Sequence, residues 1–303
     1  MNHGMTRENI KRHLRRKLNG WIDSIEDHNL KTALRNDVIV SGGAIVSLLQ
    51  GEPPNDYDVY FRTKTTTRWV AEYYANKYKP LAGSRNICVI ERNATNIKGE
   101  LEARIEIRVK SMGVIGDIPT DTYEPPLASE PMVPPSDEEI EATATKLKDK
   151  YSCVFISSNA ITLAGKIQLV IRFYGEPAQI HNNYDFVHAM CYYDMARNDL
   201  STPDAALHAI LSKSLVYGGG LYPVASIFRL RKFLKRGWRI SAGELLKIMF
   251  QISKIDLEDI NILEDQLIGV DVSFMSELIQ RLREHKGKLD DVYLAELIDA
   301  VFS

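Results

Sequence analysis

The stretch VIVSGGAIVSLLQGEPPNDYDVYF, residues 38–61, constrains this chain more than any other. Val38 to Val40 reads as a short buried strand that ends in Ser41, Gly42 and Gly43. Ala44 to Leu49 has the apolar character of a short helix, closed by Gly51 and the prolines at 53 and 54. Asn55 to Phe61 then reads as a second strand. A strand, a glycine turn, a short helix and a returning strand in so few residues imply a sheet with a helix packed on it.

Strand alternation puts Asp56 and Asp58 on one face and turns Tyr57 and Val59 toward the core. Two carboxylates this close repel unless a proton or a cation lies between them. A hard divalent cation, Mg²⁺ or Mn²⁺, accepts one or two carboxylates and completes its shell with water and phosphate oxygens. Gly42 and Gly43 open the backbone before the helix, so amides and the helix N-terminus can meet an anion. Alone, a Gly-Gly pair is usually just a tight turn, and an Asp-x-Asp on an edge strand is usually solvated. With twelve residues between Gly43 and Asp56, an anion cradle and a metal holder would lie on adjacent strands.

Around this stretch the elements alternate. Ile10, Leu14, Leu18, Trp21 and Ile25 recur at three- and four-residue steps and predict one helix over 6–35, whose KRHLRRK run either touches phosphates or is a solvated face. TTTRWVAEYYANKYK predicts another helix, with Thr65 or Thr66 as its cap. GELEARIEIRVK alternates strictly, so Glu100, Glu102, Arg104, Glu106, Arg108 and Lys110 share one strand face, expected to be wet. The span 113–148 is rich in proline and acid and is expected to be an excursion with no core of its own. Strands resume in SCVFISSNAITL, KIQLVIRFYG and near NYDFVHAMCYYD, and from Pro203 onward the periods are helical. The expected fold is α+β: an N-terminal helix (1–35), a mixed-sheet domain (36–200) and an all-helical C-terminal domain (201–303).

Composition narrows the partners. The formal net charge of −2 supplies no overall field for nucleic acid or an anionic membrane, so a polyanion site has to be local. Cys88, Cys153 and Cys191 show neither disulfide nor zinc spacing, which fits a reducing compartment. No apolar run is long enough to span a bilayer and the N-terminus lacks a signal-peptide centre, so a cytoplasmic protein is expected, host cytoplasm if phage-encoded. The local site has one further candidate: YPVASIFRLRKFLKRGWRI, residues 222–240, carries Arg229, Arg231, Lys232, Lys235, Arg236 and Arg239 with no acid. Ile227, Leu230, Phe233 and Leu234 give this helix an apolar face. Its bases either serve a nucleotide or pair with the tail after Ser241, which holds thirteen acids against six bases.

The order apolar strand, Gly-Gly, short helix, Asp-Tyr-Asp-Val resembles the signature of the DNA polymerase β-like nucleotidyltransferase superfamily. Within it, GGAIVSLLQGEPPNDYDVYF is most similar to the head domain of CCA-adding enzymes and poly(A) polymerases, and to small phage nucleotidyltransferase-like proteins. The resemblance implies a polymerase β-like mixed sheet and transfer of a nucleoside monophosphate from an NTP to a hydroxyl, on an RNA 3′ end or on a protein. A non-catalytic nucleic-acid-binding or assembly module on the same fold is the alternative. It implies two Mg²⁺ ions held by Asp56, Asp58 and a third carboxylate from a later strand, for which Asp185 in NNYDFVHAM is the best match, ahead of Asp194, Glu106 and Asp117. An Asp capping a turn is the other reading of Asp185. Ser41, Gly42 and Gly43 are then expected to cradle the triphosphate, and Arg229, Arg231 and Lys232 to reach the nucleotide or the acceptor. The Arg-Asp pair that follows Gly-Gly in CCA-adding enzymes is replaced here by Val46 and Ser47.

Overall fold

A computed structural model describes residues 4–78, 87–95, 99, 101–109 and 150–267, with isolated positions 281, 292, 293 and 296. The span 113–148, including Asp117, and most of the acidic tail lie outside the described residues. Helix α1 (Arg7–Asp23) starts at Thr6, whose hydroxyl accepts from the Asn9 N–H, and buries Ile10, Leu14, Leu18, Trp21 and Ile22. The single helix expected over 6–35 is in fact two. Ser24 ends α1, and Asp27 begins α2 (His28–Asp37) by accepting from the N–H groups of Asn29 and Leu30. Apolar spacing runs on through Ile22, Ile25, Leu30 and Leu34, all buried, and so masks the break.

Next come β1 (Val38–Ser41), α3 (Gly43–Gln50) and β2 (Tyr57–Phe61). Gly51, at φ +74°, closes α3 in the left-handed conformation that glycine adopts without strain. In α4 (Lys64–Tyr78) the cap is Thr63, not Thr65 or Thr66: its hydroxyl accepts from the Thr66 N–H at 3.2 Å. β3 (Ile87–Thr95) and β4 (Leu101–Val109) form a separate antiparallel hairpin. The SCVFISSNAITL run folds as two strands, β5 (Cys153–Ile156) and β6 (Ala160–Leu163), followed by β7 (Ile167–Tyr174), β8 (Tyr192–Asp194) and β9 (Asp199–Ser201).

Seven strands form one sheet in the order β5-β6-β7-β2-β1-β8-β9. The sheet is mixed, because β2 runs parallel to β7 and antiparallel to β1. With helices on it, the architecture is α+β. One face, carrying Val38, Val40, Tyr57, Val59 and Phe61, belongs to the main core with Trp21 of α1 and Tyr74 of α4. The Trp21 indole N–H donates to Tyr74 Oη at 2.8 Å, so the two helices are tied by a satisfied polar contact inside that core. On the other face Ile39, Tyr60 and Ile180 form a small cluster, with Tyr184 and Tyr192 packed against it. Asp58 alternates with Val59 and so emerges on this second face, beside Tyr60.

Two expectations fail downstream. The charged face of β4 is not uniformly wet: Arg104 is buried, donating to Glu102 at 2.8 Å and to Asp265 at 3.3 Å. Arg172 of β7 donates to Asp265 as well, so this tail acid serves two buried arginines. Nor is the C-terminal region wholly helical. Between the helices Asp204–Ser212, Pro223–Lys235, Ala242–Ile252 and Ile260–Gln266, β10 (Ser214–Leu215) and β11 (Arg239–Ile240) pair in parallel. Each is too short to carry a periodicity.

Candidate functional site

The register of β1 on β2 pairs Ser41 with Asp58, so the glycine turn and the acidic pair occupy one end of adjacent strands. Gly42 has φ +95° and ψ −154°, a conformation open essentially to glycine alone. A β-carbon there would lie 3.0 Å from Asp58 Oδ2 and 3.6 Å from Tyr184 Oη. Glycine is thus required twice, by the backbone and by the approach of the carboxylate. At Gly43, by contrast, a β-carbon would meet nothing within 4 Å, so the start of α3 opens onto free space there.

The three members of the expected cradle are not equivalent. The Gly42 N–H donates to the Ala189 carbonyl at 3.2 Å, which withdraws it from any phosphate. Ser41 is fully buried; its hydroxyl donates to the Cys191 carbonyl at 3.0 Å and lies 2.9 Å from His181 Nε2. Burial holds the His181 ring down to about 4, hence neutral near pH 7. With the Ser41 proton given to Cys191, Nε2 is the donor toward Ser41. Ser41 therefore fixes the end of β1 to its neighbours, and the open positions begin at Gly43.

Asp56 precedes β2 and is exposed, whereas Asp58 is partly buried within it. Burial, and then the Asp56 charge, push the Asp58 carboxyl well above its ordinary value, while the Arg229 guanidinium draws it down. Tyr60 Oη accepts from Tyr184 Oη at 3.1 Å, and burial raises both phenols. Such a pair of acids, one of them held against ionisation, suits a hard divalent cation, which relieves the repulsion and supplies the missing charge.

Asp185 is where the structure departs most from expectation. It lies on no strand, but between the short helix Pro177–His181 and the 3₁₀ turn Val187–Met190. Its side chain is buried, and Oδ2 accepts from Arg229 Nη1 of the Pro223–Lys235 helix. The contact with Arg229 is one that neither the turn-cap nor the metal-ligand expectation included. Among the described residues no group of three or more His, Cys, Asp or Glu side chains is disposed to hold a metal ion. The two acids that lie together at the glycine turn are Asp56 and Asp58. Asp194, on β8 opposite Ile39, sits toward the other end of β1 and is bound by Arg62 Nη2 at 2.6 Å. Glu106 remains in the partly exposed row of β4.

On the basic helix, Arg229 pairs with Asp185 and its charge acts on Asp58, while Arg231 and Lys232 are exposed. The helix buries Pro223, Val224, Ala225, Ser226 and Leu230, so its apolar contact lies mainly in its first half; Ile227 and Leu234 are exposed. A feature that sequence reasoning missed is the run Gly218-Gly219-Gly220. Gly218 N–H donates to the Asp185 carbonyl at 2.7 Å, and a β-carbon on Gly220 would lie 2.8 Å from Asp185 Oδ1. Three consecutive glycines after Tyr217 were the available signal.

Among the described residues no helix is long and apolar enough to cross a membrane. No curated protein matches the chain in sequence. Among solved structures it is similar to the Thermotoga maritima CCA-adding enzyme complexed with tRNA, at 12% identity and a TM-score of 0.36, covering 88% of this chain and 53% of that one. A CCA-adding enzyme with CTP is similar at 13% identity and a TM-score of 0.35, covering 93% and 53%. The chain thus spans about half the length of these structures. Residues 12–213, two thirds of the chain, match the model of the family described as "Gabija anti-defense 2 family protein", and the chain belongs to that family.

Proposed function

We propose that this chain is a metal-dependent nucleotidyltransferase whose activity serves an anti-defense role, the role carried in its family's name. The observation that supports this most is the contact between Gly42 and Asp58, where a glycine-only backbone brings an uncapped helix start against a carboxylate pair. Asp56 and Asp58 would hold Mg²⁺ or Mn²⁺, which when bound neutralises triphosphate charge and orients the α-phosphate. The start of α3 at Gly43 faces the phosphate chain with backbone amides, and Arg229 offers a guanidinium, whose donors match phosphate oxygens. The Gly42–Ala189 and Ser41–Cys191 hydrogen bonds keep the turn from yielding as the anion arrives. Catalysis on this reading comes from charge neutralisation and in-line positioning, with a nucleoside monophosphate passing to a hydroxyl and pyrophosphate leaving.

The acceptor is an RNA 3′ end, in line with the sequence resemblance; a protein hydroxyl is the alternative outcome of the test. Incubation with each α-labelled NTP, Mg²⁺ or Mn²⁺, and separately with RNA and with cell protein, is expected to label one acceptor class. Absence of label in every combination, with nucleotide still bound, overturns turnover. A second reading, a nucleotide-binding module without turnover, is favoured by one observation: Arg229 occupies the carboxylate expected as the third metal ligand.

A further inference from the structure

Asp185 is buried more deeply than the arginine it pairs with. Its side chain is 4% exposed, against 31% for Arg229. Oδ2 is taken by Arg229, whereas Oδ1 is buried with no hydrogen-bond partner among the described residues. Burying a carboxylate with one oxygen unsatisfied is costly, and neither the core nor the sheet requires it.

The surroundings hold it there nonetheless. The segment Tyr217–Leu221 lies against Asp185 through the Gly218 N–H, and it is clamped from the far side by three helical side chains. Glu244 Oε2 accepts from the Tyr217 N–H at 2.7 Å, Gln251 Nε2 donates to the Gly220 carbonyl at 2.7 Å, and Gln266 Nε2 donates to the Leu221 carbonyl at 3.2 Å. Only a glycine at 220 lets the backbone come this near Oδ1. On the other side, the preceding residue Tyr184 stands over Gly42 and bonds Tyr60. Asp185 is therefore one residue from the contact that defines the site.

We propose that Asp185 is a positioning residue, which holds the Arg229 guanidinium toward the Asp56–Asp58 site so that Arg229 receives the triphosphate of the nucleotide. The inference rests on the nucleotidyltransferase reading and deepens it. A guanidinium has five donors, and Nη1 is committed to Asp185; the partly exposed remainder is oriented instead of sampling rotamers. Less rotamer entropy is then lost when phosphate binds. The triple-glycine segment is the mould that keeps this carboxylate in place.

The test uses inorganic tripolyphosphate as the probe, titrated calorimetrically into the full chain, with thermal melting measured in parallel. Asp185→Asn keeps the shape and removes the charge; it is expected to weaken tripolyphosphate binding about tenfold and, where turnover is measured, to raise KM for NTP more than it lowers kcat. Gly220→Ala should reproduce this by displacing Oδ1. The Asp185→Asn and Arg229→Ala losses should not add, because each removes the same oriented guanidinium. Arg229→Lys keeps Asp185 paired and guards against misfolding; it should melt near the wild type yet bind the probe more weakly. Wild-type affinity in Asp185→Asn, with only its melting lowered, makes Asp185 structural and overturns the proposal while leaving the nucleotide site standing. Failure of the wild type to bind tripolyphosphate overturns both.

Discussion

Gly42 and Asp58 are in contact across the end of two adjacent strands: a β-carbon on Gly42 would sit 3.0 Å from Asp58 Oδ2, and the Gly42 backbone at φ +95° and ψ −154° suits glycine. Gly42→Ala therefore meets both a backbone and a steric penalty, together about 1–3 kcal/mol. Urea denaturation is expected to show that loss, and labelling activity to fall at least tenfold through the displaced carboxylate. An alanine variant with wild-type stability and activity would show that the contact is incidental.

Ionised Asp58 is a strain on the folded chain. Its folded value is raised, by burial and then by Asp56, so the native state binds the proton more tightly than the unfolded chain does. Stability is then lost as the pH rises from about 4, where an unfolded Asp ionises, through the folded value. Asp58→Asn is expected to match or exceed the wild type in melting temperature near pH 7, with the difference vanishing near pH 4. Added Mg²⁺ should stabilise the wild type and leave the variant unchanged.

Asp194 and Asp185 are both buried acids paired with arginine, yet they should behave differently. Asp194 accepts from Arg62 and from the Arg197 N–H, away from the glycine turn. Asp194→Ala leaves the Arg62 guanidinium without its buried partner and should cost about 3–5 kcal/mol, as broken buried pairs do. Nucleotide affinity measured well below the melting temperature should not change.

Acid should weaken the fold through His181 and His188. Burial lowers both rings to about 4, and His188 is enclosed by Phe233 and Trp238 at 4.7 and 4.3 Å between ring centroids. Each folded value lies below the ordinary 6.5, so protons favour the unfolded chain, and the stability present above 6.5 is lost as the pH falls toward 4. Denaturation midpoints between pH 7 and 4.5 should decline, and the double replacement His181→Gln with His188→Gln should flatten that decline even if its absolute stability is lower.

Arg231 and Lys232 are exposed, unlike Arg229, and replacing both with Ala should change stability by no more than about 1 kcal/mol, the scale of exposed ion pairs. Arg229→Ala is a harsher change, because it strands the buried Asp185 carboxylate. Melting temperatures of the two variants, compared directly, separate a solvated basic surface from the arginine that belongs to the site.

The glycine turn and the acid pair were legible because their signals are local: an Asp-x-Asp at the start of β2, of which only Asp58 lies on the strand, a glycine-only backbone at residue 42, and an apolar strand before it. What was not legible depends on partners far along the chain. Arg104 looked solvated within its own strand, but its buried position is made by Asp265, 161 residues away. The role of Asp185 is set by Arg229, 44 residues on, and by the Gly218–Gly220 segment, none of which any spacing rule connects. The break between α1 and α2 was missed for the opposite reason, since the apolar repeat continues across it and only the cap at Asp27 marks the interruption.

On the proposed function, Asp56 and Asp58 support transfer of the α-phosphate. Parallel reactions with α-labelled and γ-labelled NTP, on the wild type and on the double variant Asp56→Asn with Asp58→Asn, test it directly. Label is expected in the acceptor from the α position alone, with γ label released in pyrophosphate and neither signal from the double variant although it remains folded. Incorporation of γ label, or undiminished α transfer by the double variant, would contradict it.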